Sequence, residues 1–202
     1  MVDDDPFRTI AGRATASLTI SGSEFIGTIA PAVSTEDAAD FIEDIEETYP
    51  DATHHVPAYR IRSDPFRAWA SDDGEPGGSA GEPILNVLRG EGLENVVAVV
   101  TRYFGGTELG YGGLVSAYTE TTKRCVDAAT VVERRPTDTV RIESSYDDSG
   151  TVRGILESQG VEFAADYETS VTFTVRIPRV ERAAVLERLR DATSGRIDVS
   201  RE

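Results

Sequence analysis

The sequence predicts an α+β chain of two domains, residues 1–136 and 137–202. Three observations predict it. The first part mixes strand-like and helix-like apolar spacings. After Glu133-Arg134-Arg135-Pro136 the pattern restarts and runs strand, helix, strand, strand, helix, strand, the order of a ferredoxin-like βαββαβ unit. Charge divides at the same place, with 23 acids and 11 bases up to residue 136 and 13 and 9 beyond it. No residue-level repeat relates the two halves.

Residues 13–20 and 25–30 read as two strands of a hairpin around Ser21-Gly22-Ser23-Glu24. A helix starts at Ser34-Thr35-Glu36-Asp37, with Ser34 or Thr35 as N-cap and acids in the first turn. Ala38, Phe41, Ile42, Ile45 and Tyr49 share one face of it; Glu36, Asp40, Glu43, Asp44 and Glu47 share the other, with no basic residue from 34 to 59. That acidic face reads first as a solvated surface and second as a docking surface. Residues 53–61 are extended, and Pro57 predicts an edge strand or a bulge, because proline cannot donate to a ladder.

Residues 66–70 form a short apolar piece. Residues 83–89 read as a short helix with Pro83 near its first position and Gly90 after its end. The run Val96-Val97-Ala98-Val99-Val100-Thr101-Arg102-Tyr103-Phe104 is apolar enough for a central strand covered on both faces. A glycine loop spans 105–113, and a helix follows over 114–129 with Leu114, Tyr118, Thr121, Cys125 and Ala128 on one stripe. In the second domain strands are predicted at 139–145, 162–167, 170–177 and 197–200, and helices at 150–158 and 179–192.

Composition narrows the function classes. No apolar stretch approaches the ~20 residues of a membrane span. Met1-Val2-Asp3-Asp4-Asp5 is too acidic for a signal or transit peptide, so a cytoplasmic protein is expected. The single cysteine, Cys125, excludes an internal disulfide framework and a cysteine-rich zinc site, and on its apolar stripe it reads as a small core residue. The net charge is −16, and Lys123 is the one lysine among 20 basic residues. An acid-rich, lysine-poor surface suggests adaptation to high salt, where self-repulsion is screened. The same charge speaks against a broad basic stripe for nucleic acid.

Two glycine-rich polar segments flank the central strand: 71–83, with Asp72, Asp73, Glu75 and Ser79, and 101–106, with Arg102 and Tyr103. They read as two walls of one site. Gly77-Gly78-Ser79-Ala80-Gly81 matches G-x-S-x-G in letters only, since both histidines, His54 and His55, lie upstream of the serine. Ser79 is expected as a helix N-cap. Asp72, Asp73 and Glu75 suit either a hard cation or, more simply, loop N–H groups and a pairing with Arg60 or Arg102. His54 and His55 alternate on an extended piece, so one reaches the acidic loop at most, as a structural group or as part of a His-Asp acid–base pair. Gly105, Gly106, Gly112 and Gly113 lie at a strand-to-helix transition whose free N–H groups suit an anion. Their spacing matches neither a dinucleotide fingerprint nor a P-loop, so no cofactor is implied.

The ordered set Phe25-Ile26, Asp51-Ala52-Thr53-His54-His55, Ala58-Tyr59-Arg60, Asp72-Asp73-Gly74-Glu75-Pro76, Ala80-Gly81, Pro83-Ile84-Leu85, Asn95-Val96-Val97, Thr101 to Gly106, Leu109-Gly110, Gly112-Gly113-Leu114 and Ala117-Tyr118 closely resembles the IMPACT family in its two-domain prokaryotic form. The resemblance implies an N-terminal two-layer α/β domain like domain IV of elongation factor G, and a second domain like that factor's domain V. It marks His54, Arg60, Asp72, Asp73, Glu75, Ser79, Arg102 and Tyr103 as the motif site. Glu82 stands where a basic residue is common in the family, which counts against phosphate binding at that point. Eukaryotic members regulate translation initiation through a protein partner and associate with ribosomes, and the resemblance carries no reaction. The expectation is therefore a non-enzymatic protein that binds the ribosome, RNA or a translation-associated protein. The rival expectation is a small-molecule anion-binding protein or hydrolase-type enzyme that uses the polar loops. No membrane partner is expected, and a homo-oligomer is compatible with the sequence.

Overall fold

The computed structural model describes residues 4–201, so the acidic run at Met1-Val2-Asp3 lies outside the described residues. The described residues divide into two compact units, 7–134 and 135–201 together with 4–6.

The first unit contains β1 (Phe7–Ile10), β2 (Ala14–Ile20), β3 (Ser23–Pro31), α1 (Thr35–Thr48), β4 (His54–Ile61), β5 (Arg67–Ala70), α2 (Gly81–Gly90), β6 (Val96–Tyr103), α3 (Gly110–Ala128) and β7 (Val131–Arg134). A five-stranded sheet has the order β2-β3-β6-β4-β5, and β1 pairs with β7 in a separate ribbon. Every strand pair is antiparallel. The β2–β3 hairpin turns on Ser21 and Gly22, both at positive φ (48° and 84°), the turn whose twist matches the flanking strands.

β6 runs through the middle of this sheet and is buried from Val96 to Arg102. Val96, Ala98 and Val100 pack with Ile84, Leu88, Leu114, Ala117 and Tyr118 of α2 and α3. Val97 on the opposite face packs with Ala38, Phe41 and Ile42 of α1. The sheet and the α2/α3 layer form the two principal layers, and α1 partly covers the other face. The first turn of α1 is closed by a capping box in which Ser34 and Asp37 bond each other's backbone N–H groups.

Several boundaries differ from the sequence reading, each for a local reason. β4 is not an edge, since it lies between β6 and β5. Pro57 is tolerated because its carbonyl accepts from Ser71 N at 3.1 Å on the outer side, just past the end of β5, and its nitrogen points the same way. The segment 133–136 is not wholly a linker: Glu133 and Arg134 belong to β7 and face Arg8 and Phe7 of β1. α3 begins at Gly110, so Gly112 and Gly113 lie inside its first turn, and Ala128 at its end is exposed.

The second unit contains β8 (Thr137–Ser144), α4 (Tyr146–Gln159), β9 (Glu162–Tyr167), β10 (Val171–Pro178), α5 (Arg179–Ala192) and β11 (Asp198–Arg201). Its antiparallel sheet has the order β11-β8-β10-β9, the ferredoxin-like arrangement. Val140, Ile142, Phe173, Val175 and Ile177 face Val152, Leu156, Val185 and Leu189 of the two helices. Among the described residues no helix is long and apolar enough to cross a membrane.

Around α1 the acids outnumber their partners, with Asp44 held by Arg13 at 2.8 Å and no base on the helix itself. With a net charge of −16, raising KCl from about 0.1 M to about 2 M is expected to raise the Tm by about 5 °C. Thermal unfolding followed by circular dichroism checks this; a falling Tm contradicts it.

Candidate functional site

The two glycine-rich segments meet. The loop after β5 and the end of β6 are joined by Arg102, whose guanidinium Nη1 lies 2.6 Å from Glu75 Oε1. The Tyr118 hydroxyl of α3 donates to the same oxygen at 2.6 Å. Both side chains of the ion pair are close to fully buried, at 6% and 4% exposed. The Arg102 guanidinium lies between the rings of Phe25 (5.4 Å) and Phe104 (5.6 Å). Burial first, and then the bond to Glu75, push the Tyr118 hydroxyl far above its ordinary pKa.

Asp72 does the work expected of Ser79. Its Oδ1 accepts from Ala80 N (3.1 Å) and Gly81 N (2.9 Å), and its Oδ2 from Gly78 N (2.7 Å). These bonds satisfy the N-terminal end of α2, whose N-cap, Ala80, has no side chain to do so. Burial alone would raise the Asp72 carboxyl, but the three N–H groups outweigh it and hold it below its ordinary 3.8. Ser79 is fully buried, and its hydroxyl has no protein partner. Gly81 is required here because a Cβ would lie 2.5 Å from the Ser71 carbonyl oxygen.

Asp73 and the histidines complete the inner wall. Asp73 Oδ2 accepts from His55 N, and its carbonyl oxygen lies 2.6 Å from His54 Nδ1. His54 Nε2 is 4.0 Å from Glu75 Oε2. His54 and Arg102 are directly opposed across β4 and β6, so they share a sheet face. His55 turns the other way and bonds the Tyr49 carbonyl at 3.0 Å.

Two predicted members stand apart. Arg60 faces the same side of β4 as His54, but six residues further along, about 20 Å away. Its Nη1 donates to the Leu93 carbonyl at 2.7 Å beyond the end of α2, and burial lowers its pKa. Tyr103 follows Arg102 on the strand, so it faces the opposite side of the sheet from Glu75.

The second loop closes against the hairpin turn. Gly105 N donates to Ser23 Oγ at 3.1 Å, and Phe104 N to Thr53 Oγ1 at 2.9 Å. A Cβ on Gly105 would lie 1.9 Å from the Gly22 carbonyl carbon. Tyr111 Oη donates to the Gly78 carbonyl at 3.3 Å and so ties the start of α3 to the acidic loop. Gly105 is thus occupied by the protein itself. Gly106 sits at φ 87° in the turn, whereas Gly112 and Gly113 lie in a first helical turn that has no side-chain cap. Sequence reasoning missed Tyr118, Tyr111, Ser23 and Thr53. Tyr118 was legible as an apolar stripe position and as part of the family-like set; its hydroxyl was the overlooked signal.

Cys125 is buried in the α3 core and its thiol is pushed up to about 11 by burial, which makes it a poor nucleophile. Among the described residues no group of three metal-ligating side chains gathers. An open groove of about 640 Å³ runs between α2 and α3, lined among others by Glu82, Tyr111 and Lys123.

Residues 21–126 match the Impact N-terminal domain, and residues 142–196 match a domain of unknown function, DUF1949. The chain belongs to the IMPACT family. It is 34% identical over 183 residues to the IMPACT family member YvyE of Bacillus subtilis (strain 168), covering 90% of this chain and 84% of that one. It is 32% identical over 183 residues to the IMPACT family member YigZ of Escherichia coli (strain K12), covering 89% and 90%. A crystal structure of a hypothetical protein superposes with a TM-score of 0.74 at 30% identity, covering 98% of this chain and 97% of that one. The match to the IMPACT domain spans both polar loops.

Two outcomes follow from the buried pair and the capping aspartate. Arg102→Leu leaves Glu75 buried without its cation and is expected to cost about 3–5 kcal/mol in urea unfolding. The double variant Glu75→Leu/Arg102→Leu is expected to cost less than that single change, and an additive cycle would contradict the pairing. Asp72 has a depressed folded-state pKa, so its contribution to stability is present above 3.8 and is lost as pH falls through the lower folded value. Asp72→Asn is therefore expected to lower stability by about 1 kcal/mol at pH 7, with the gap to wild type closing as pH falls below 3.8 and through the lower folded value.

Proposed function

We propose that this protein is a non-enzymatic regulator that binds the translation machinery. The observation that carries the reading is that the acids of the polar loops end on the protein itself, although the buried Ser79 hydroxyl has no protein partner. Asp72 accepts from three backbone N–H groups, Glu75 binds Arg102 and Tyr118, Asp73 binds the His54–His55 backbone and ring, and Gly105 N is bonded to Ser23. A general acid or base must reach substrate with a free proton site. Here those sites hold the loops in shape. The groups left to meet a partner are the rims, where Phe104 and Tyr111 are 48% and 58% exposed. Exposed aromatics on rigid loops suit contact with another macromolecule.

The link to translation is supported by family membership, since the resemblance ties IMPACT proteins to translational regulation and ribosome association. Charge bears on the partner's chemistry. At −16 this chain repels phosphate backbones, which favours a basic protein surface of the ribosome or of a translation factor over bare RNA. The small-molecule reading has weaker support, because its proposed ligands are already bonded within the chain.

Sedimentation of lysate through a sucrose cushion tests the reading. The protein is expected to pellet with ribosomal particles, and Phe104→Ala with Tyr111→Ala is expected to reduce the pelleted fraction about tenfold, circular dichroism checking that the variant stays folded. Recovery only in the supernatant at every growth phase would contradict the proposal.

A further inference from the structure

The free sheet edges of the described residues are not alike. β5 is four residues long and carries Arg67. β9 carries Glu162 and Asp166, and β11 carries Asp198. The β1–β7 ribbon carries Arg8, Glu133 and Arg134. Short length and charge are the usual guards against edge-to-edge pairing. β2 has neither guard. Its seven residues, Ala14-Thr15-Ala16-Ser17-Leu18-Thr19-Ile20, contain no charge, no proline and no glycine, in a chain where 28% of residues are charged.

The outward backbone of β2 has a definite pattern. Ile20 and Ser23 bracket the two-residue turn, so they form a hydrogen-bonded pair, and Leu18, Ala16 and Ala14 repeat it toward β3. The N–H and C=O groups of Thr15, Ser17 and Thr19 therefore point away from the sheet. All three residues are exposed. Their side chains lie on one face, whereas Ala14, Ala16, Leu18 and Ile20 lie on the face packed against the α3 core.

We infer that β2 takes a second copy of this chain, edge to edge and antiparallel, in a two-fold dimer centred on Ser17. This register sets Ser17 opposite Ser17 of the second copy and Thr15 opposite Thr19. All six outward groups of each strand are then matched, giving six hydrogen bonds. The same register sets Ala16 opposite Leu18 and Ala14 opposite Ile20, so polar residues meet polar and apolar meet apolar. A one-residue slip would face outward groups with inward ones. The strand is self-complementary about its centre, as an isologous contact requires. The absence of charge at this strand matters because two copies at −16 repel one another overall.

Sedimentation of the full chain from about 1 to about 200 μM, in about 0.1 M and about 2 M KCl, tests the dimer. The mass is expected to rise from 21.8 kDa toward twice that value, at lower protein concentration in the higher salt. Ser17→Pro removes the central donor of each copy and is expected to weaken dimerisation about tenfold or more. Ser17→Glu sets like charges face to face and is expected to do the same in low salt, while Ser17→Thr retains the dimer. Slowed amide exchange at Thr15, Ser17 and Thr19 in the concentrated sample locates the contact. Circular dichroism checks that each variant is folded, and if Ser17→Pro is not, Ser17→Glu and the exchange pattern decide. A chain that stays at 21.8 kDa in both salts overturns the inference. So does a dimer that both disruptive variants leave intact, or exchange protection that appears elsewhere.

Discussion

The first unit turns on one buried ion pair. Arg102 comes from the central strand, Glu75 from the irregular loop before α2, and Tyr118 from the middle of α3. Three elements distant in sequence are fixed to one carboxylate oxygen. A buried charge without its partner is strongly unfavourable, so the loop cannot move away from β6 without exposing or stranding that charge. The aromatic rings of Phe25 and Phe104 lie against the guanidinium. The acidic loop is therefore held as firmly as a regular element, although its backbone makes no ladder.

The neighbouring bonds extend that constraint outward. Once Glu75 is fixed, Asp72 lies three residues away with its carboxylate against the start of α2, and Asp73 with its carboxylate against β4. Each acid of the Asp-Asp-Gly-Glu run thus serves a different element. The glycines allow the close approaches, most severely at Gly105, whose α-carbon passes against the Gly22 carbonyl. A dense polar motif of this kind resembles an active site in sequence because both need charged groups near flexible backbone. Here Asp72 and Asp73 accept from backbone N–H groups, and Glu75 from Arg102 and Tyr118.

Much of the fold was legible because its signals are local. Helix α5 from Arg179 to Ala192 and strand β9 from Glu162 to Tyr167 have the bounds their periodicity predicts. The apolar run of β6 announced a central strand, and the pairing of Glu75 or its neighbours with Arg102 or Arg60 was an open alternative. What was hidden depends on chain segments meeting in space. Pro57 reads as an edge signal until the end of β5 is known. Ser79 reads as an N-cap until a carboxylate seven residues upstream is seen to take that place. Tyr118 reads as one more apolar stripe residue, because nothing in the helix reveals that a buried acid awaits its hydroxyl. Arg60 and Arg102 look equivalent in sequence, and only the strand register separates them along the sheet.

Arginine usage in the first unit connects this architecture to its surface. Arg8 donates to the Glu91 carbonyl, Arg60 to Leu93, Arg62 to Glu94, Arg102 to Glu75, Arg89 to Asn86 and Arg124 to Glu120. The planar guanidinium suits such multi-atom contacts, and a lysine ammonium would make them as a single, more strongly hydrated point charge. Cations in this unit are thus largely turned inward or onto neighbouring carboxylates and carbonyls. The acids of α1 remain exposed with few partners. The field beyond the surface is therefore more negative than a count of arginines alone conveys, and association is selected against anionic partners. On the reading proposed above, contact with another macromolecule falls to basic partners or to places where charge is locally absent, such as the aromatic rims and the uncharged edge of β2.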